Sequence, residues 1–125
     1  MSGTAADWLD FARGDLAAAR VLLGADVPLR AAAWHAQQTA EKALKAVLVA
    51  GGEPVPRTHD LLDLAARVGA AVPGLPPTRA LADLTFDAVQ PRYPDDLADV
   101  DEADARRALA TAEVVVAAVD HSLST

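Results

Sequence analysis

The chain has 125 residues, enough for one core, and is read as a single domain over residues 1–125 that hides roughly two-thirds of its unfolded surface on folding. Its 52% hydrophobic content is largely Ala, Leu and Val, with 4% aromatic and 23% charged residues, a balance that favours closely packed helices over a β-sandwich. A formal net charge of −7 weighs against general adhesion to a nucleic-acid backbone, DNA included, and the lack of cysteine excludes disulfides, thiol nucleophiles and Cys-based zinc sites.

No signal-type apolar segment and no run of about 20 apolar residues is present, so the expectation is a cytoplasmic chain without a membrane contact. Thr4-Ala5-Ala6-Asp7 predicts a helix start, with Thr4 as N-cap and Asp7 on the positive end of the helix dipole. Trp8, Ala12, Leu16, Ala19 and Leu23 then repeat at helical spacing until Gly24 stops the helix. Asp15 and Arg20 lie off that stripe and are expected to be solvated.

Asp26-Val27-Pro28 restarts the chain, Pro28 suiting the first turn of a second helix that runs to Gly51-Gly52. At about 24 residues and on the order of 35 Å it is predicted to be the longest and most central helix. Its residues divide into two faces at roughly 100° per residue. Ala36, Ala40, Ala43, Leu44 and Val47 form a face built to pack, while His35, Gln38, Glu41, Lys42 and Lys45 fall within about 120° of arc. That polar stripe is either a solvated face with a Glu41–Lys45 pair at i,i+4 or a surface that touches a polar partner.

Glu53-Pro54-Val55-Pro56-Arg57 is a stiff connector, because both prolines fix φ and hold the residues before them extended. Thr58 follows as an N-cap candidate, with His59 and Asp60 in the first turn and Leu61, Leu62, Ala65 and Val68 as a short apolar stripe. The free N–H groups there favour an anion, although Asp60 already supplies negative charge; the plainer reading is a cap with an incidental histidine. After the break at residues 72–77, Thr78 to Val89 is a fourth helix with Leu81, Leu84 and Ala88 inward. The loop Gln90-Pro91-Arg92-Tyr93-Pro94-Asp95-Asp96 holds the only tyrosine and an arginine between two prolines, a stiffness that suggests side chains held in place. Asp101 caps the last helix, whose inward stripe of Leu109, Ala112, Val116 and Val119 is widened by Val114 and Val115 into a candidate subunit surface. Five helices with short connections predict an all-α, up-and-down four-helix bundle with one additional short helix.

The Trp8 to Leu23 helix, the segment His35-Ala36-Gln37-Gln38-Thr39-Ala40-Glu41-Lys42-Ala43-Leu44-Lys45-Ala46, the Thr58-His59-Asp60-Leu61 start and the Arg92-Tyr93-Pro94 loop together resemble the HEPN family, the higher-eukaryote and prokaryote nucleotide-binding domain. The resemblance covers nearly the whole chain. It implies an all-α bundle, usually a homodimer, often encoded in prokaryotes beside a minimal nucleotidyltransferase. Some such pairs are toxin–antitoxin systems in which the HEPN protein is the toxin. The ribonuclease branch cleaves RNA without a metal, using an Arg and a His four to six residues apart. Arg92 stands about where that arginine is expected, yet residues 93–99 (Tyr-Pro-Asp-Asp-Leu-Ala-Asp) contain no histidine. Arg30 and His35 have the spacing but sit early in the second helix, roughly 140° apart. His35, His59 and His121 show no metal-ligand spacing, Ser122 beside His121 completes no evident triad, and no cofactor motif is present.

The resemblance makes a nucleotide- or RNA-end-binding module, working with a minimal nucleotidyltransferase, the leading expectation. Its site would gather His35, Gln38, Lys42 and Lys45 with Thr58, His59 and Asp60 and with Arg92 and Tyr93. Lys42, Lys45 and Arg92 would meet phosphates, Tyr93 would stack on a base, and Gln38 would bond a base edge. The second expectation is a metal-independent endoribonuclease using Arg92 and a displaced histidine, His59. The third is a non-catalytic dimeric interaction protein whose polar stripe is the subunit interface.

Overall fold

Thr4 and Asp7 start the first helix by satisfying each other's backbone: Asp7 N–H donates to Thr4 Oγ1 at 3.1 Å and Thr4 N–H donates to Asp7 Oδ2 at 3.0 Å. From this cap the computed structural model, which describes residues 3–89 and 100–124, runs through α1 (Ala5–Leu23), α2 (Leu29–Ala50), α3 (Leu61–Val68), a 3₁₀ turn (Gly69–Ala71), α4 (Thr78–Val89) and α5 (Glu102–Leu123). The described residues form five helices and no strand, as the alanine- and leucine-rich composition predicts. Gln90 to Asp99, with Arg92 and Tyr93, lies outside the described residues.

The five-residue link between α1 and α2 folds the two back on each other. Phe11 lies beside Lys42 and Asp15 beside His35, so positions rise along one helix as they fall along the other. Ion pairs of Arg13 with Asp120 and Arg20 with Glu113 give the same opposed sense for α1 and α5. α2 touches α1, α3, α4 and α5 and is the centre of the bundle, although α5 equals it at 22 residues.

The core alternates large and small side chains. Leu44, Leu61, Leu64, Leu81, Leu84, Val115 and Val119 are fully buried, each stabilising the fold by roughly 1.5–3 kcal/mol through removal from water. α1 and α2 contribute many alanines to the core, Ala12 and Ala19 from α1 and Ala33, Ala36, Ala40 and Ala43 from α2, side chains small enough to let helices approach closely.

Several local expectations shift. Leu9 joins the α1 core while Trp8 and Leu23 only border it. Pro28 is the N-cap of α2 and not its first turn. The cap of α3 is Asp60, whose side chain accepts from Leu62 N–H at 3.0 Å; Thr58 Oγ1 instead accepts from Asp60 N–H at 3.1 Å. Leu61, Leu64 and Val68 face inward and Leu62 does not. On α5, Val115 and Val119 are core, Val116 is half-buried and Val114 is exposed, so this valine run is a wall of the bundle and not an open surface. No helix of the described residues is long and apolar enough to cross a membrane.

Candidate functional site

The polar stripe of α2 resolves into two rows, each centred on a carboxylate. His35 and Lys42 point toward α1, where His35 Nδ1 lies 2.9 Å from Asp15 Oδ1 and Lys42 Nζ donates to Asp15 Oδ2 at 2.6 Å. Asp15 is therefore largely covered, its side chain 13% exposed, and the expectation that it is solvated fails because α2 closes over it with two donors. Trp34 meets the His35 ring edge-on at 5.0 Å, and Lys42 sits 5.9 Å from the centre of the Phe11 ring.

Gln37, Glu41 and Lys45 follow one another at i,i+4 and form the second row, facing the connector before α3. Lys45 Nζ donates to Glu41 Oε2 at 2.9 Å, and both side chains are buried. His59 Nδ1 stands 2.9 Å from the other oxygen, Glu41 Oε1. Gln37, wholly buried, donates from Nε2 to the backbone carbonyl of His59 at 2.8 Å and accepts at Oε1 from Thr85 Oγ1 of α4 at 3.4 Å. His59 is thus held twice, by its ring and by its backbone, while its side chain stays 69% exposed. A carboxylate accepts only, so Glu41 in that form calls for the proton on Nδ1, and Nε2 is the ring nitrogen with no partner among the described residues.

The remaining predicted site residues are placed unevenly. Gln38 is half-buried and makes no side-chain hydrogen bond among the described residues, whereas Thr58 and Asp60 spend their oxygens on local backbone. The α3 N-terminus consequently has its own anion in Asp60 and offers little to a ligand. Lys42 and Lys45 are gathered onto α2 as predicted, but each already faces a carboxylate. Arg57, two residues before His59, is exposed and has no side-chain partner among the described residues. Sequence reasoning missed Asp15 and Gln37 at these clusters. The usable signal for Gln37 was its i−4 relation to Glu41; for Asp15 none existed, because its partners are 20 and 27 positions away.

A cleft of about 200 Å³ between α4 and α5, lined by Asp83, Asp87, Arg107 and Thr111 among others, contains none of the predicted site residues. Among the described residues no group of three His, Asp or Glu could hold a metal ion.

The two clusters occur in a chain whose residues 5–122 match the family model of the HEPN domain. Its structure is similar to the crystal structure of TT1696 from Thermus thermophilus, with a TM-score of 0.79 and 31% sequence identity over 94% of this chain and 97% of that one. No curated protein matches the chain. A family match over nearly the whole length, on a five-helix all-α structure, establishes that the chain belongs to the HEPN domain family.

Proposed function

We propose that this HEPN protein is a nucleotide- or RNA-binding module that acts as a homodimer with a minimal nucleotidyltransferase, the pair serving as a toxin–antitoxin system. The observation that carries the reading is His59, an exposed imidazole fixed by a buried carboxylate and a buried amide, with Arg57 two residues away and without a partner among the described residues. In a chain of net charge −7 an anionic ligand needs a local cation, and Arg57 supplies one that no described carboxylate matches. Arg92 and Tyr93, the other phosphate and base contacts of the proposal, lie outside the described residues and enter it from the sequence. For the homodimer, exposed Phe11 and Trp34 beside the Asp15 cluster are the apolar groups a second copy would cover.

Titration of a fluorescent oligoribonucleotide tests the site. His59→Ala and Arg57→Ala are expected to weaken binding by about ten-fold each, the worth of one charge-assisted hydrogen bond, with Lys45→Ala unsuitable because it disturbs the interior. Wild-type affinity in both variants removes the site. Retention of the tagged chain by a purified nucleotidyltransferase encoded beside it tests the partner.

A second reading is favoured by the same mount. An imidazole with Nδ1 on a buried carboxylate and Nε2 open is the arrangement a general acid–base histidine requires, which supports a metal-independent endoribonuclease using His59 and Arg92. Cleavage of labelled RNA in excess chelator, lost in His59→Ala and in Arg92→Ala, is its expected result; absence of cleavage by the wild type eliminates it.

A further inference from the structure

The mount does more than hold the His59 ring in place, because it also decides which nitrogen can donate. Glu41 lies against the Lys45 ammonium at 2.9 Å, which has donors only, so Oε2 accepts there and the pair favours Glu41 as a carboxylate. Its second oxygen, 2.9 Å from His59 Nδ1, accepts as well and keeps a proton on that nitrogen. In the neutral ring Nε2 then presents a lone pair, which repels a phosphate oxygen. Only the imidazolium has a proton on Nε2 to give.

Resting on the reading that His59 meets a phosphate group, we propose that Glu41 and Lys45 make anion binding proton-linked, so that the site takes a phosphodiester together with one proton on His59 Nε2. Glu41 is the charged group against the ring and Lys45 pairs with Glu41 on α2; Arg57, Asp60 and Asp63 are the charged residues nearest in sequence, along the connector and the first turn of α3, and α4 contributes the uncharged Thr85 through Gln37. Asp63 is occupied by Arg67 and Asp60 by the α3 backbone. His59 is therefore the group whose protonation tracks the ligand. Glu41 and Lys45 act through it as positioning residues.

The experiment has two arms. In the first, the ligand-free wild type is followed by ¹⁵N NMR of the His59 ring at alkaline pH. The expected species is the Nδ1–H tautomer, and a dominant Nε2–H tautomer overturns the lock. In the second, a thymidine dinucleotide, whose diester charge is constant with pH and which has no 2′-hydroxyl to react, is titrated by calorimetry in buffers of different ionisation enthalpy. Uptake of a proton on binding is expected, with affinity falling as pH rises. Glu41→Gln, whose amide can donate to Nδ1 and so permit Nε2–H, is expected to bind with a shallower pH dependence. Binding without proton uptake in the wild type overturns the linkage whether or not the variant folds. No dinucleotide response at any pH, with the Nδ1–H tautomer present, overturns the phosphate reading itself and leaves the ring geometry standing.

Discussion

Lys45→Met leaves Glu41 as a carboxylate that is 5% exposed, with His59 as its one remaining charge-bearing partner among the described residues. Removing one member of a buried ion pair costs about 3–5 kcal/mol, because the other charge keeps its desolvation penalty and loses its compensation. For 125 residues the unfolding entropy is about 2.1 cal/mol/K per residue, or roughly 260 cal/mol/K, so the loss lowers Tm by about 11–19 °C. Arg20→Ala is the control: its pair with Glu113 has side chains 54% and 43% exposed, and such pairs contribute roughly 0–1 kcal/mol, under about 4 °C. Scanning calorimetry on these two variants, on Glu41→Leu and on Glu41→Leu/Lys45→Met closes the cycle. The double variant is expected to lose less than Lys45→Met, since no buried charge remains and His59, already 69% exposed, returns to water. A Lys45→Met protein melting within about 2 °C of wild type, or a double variant equal to the sum of its singles, refutes the buried-pair argument.

Asp60→Ala is expected to cost about 1 kcal/mol in urea unfolding and Thr58→Ala less, since Asp60 is the residue that caps α3; the reverse order would return the cap to Thr58. Thr4 backbone and hydroxyl hydrogen bonds hold the Asp7 carboxyl below the ordinary value of 3.8, so its stabilisation is present above that value and fades as pH falls through the depressed one. The Tm gap between wild type and Asp7→Asn should accordingly be full near neutrality and close in strong acid, and a gap independent of pH would contradict the capping assignment. Ala40→Leu places three added carbons in a fully buried position of α2 and is expected to cost about 1–3 kcal/mol or more by thermal unfolding, whereas an unchanged Tm would mean that the helices can part there.

The bundle was legible because its signals are local. Thr4 with Asp7 and Asp101 with Asp104 are capping boxes within three positions, and Leu81 and Leu84 repeat within a single turn. α3 was placed two residues early because Thr58 and Asp60 are both acceptable caps, and only the packing of Leu64 in place of Leu62 decides between them. The site was legible as composition and not as geometry. His35, Glu41, Lys42, Lys45 and His59 were all visible as a polar set, but the sequence could not show that Asp15 and Glu41 would divide the cations between them. Apart from the Glu41–Lys45 pair, which its i,i+4 spacing announced, those pairings join residues 18 to 27 positions apart on different elements, and periodicity carries no information about them.

What the division implies is a relocation of the working charge. Lysines placed on a central helix read from sequence as phosphate ligands, yet the helix's four neighbours leave them little solvent, and each is met by a carboxylate before any ligand arrives. Stability alone does not explain the inner pair. Two well-packed apolar side chains at positions 41 and 45 would match or exceed it, since a buried ion pair seldom recovers the full cost of its desolvation. What an apolar pair could not supply is an acceptor at His59 Nδ1, and without that acceptor the exposed ring would choose its tautomer and its direction freely. The inner charges are thus best accounted for by the exposed imidazole they orient, a side chain on the connector before α3 whose scaffold is α2.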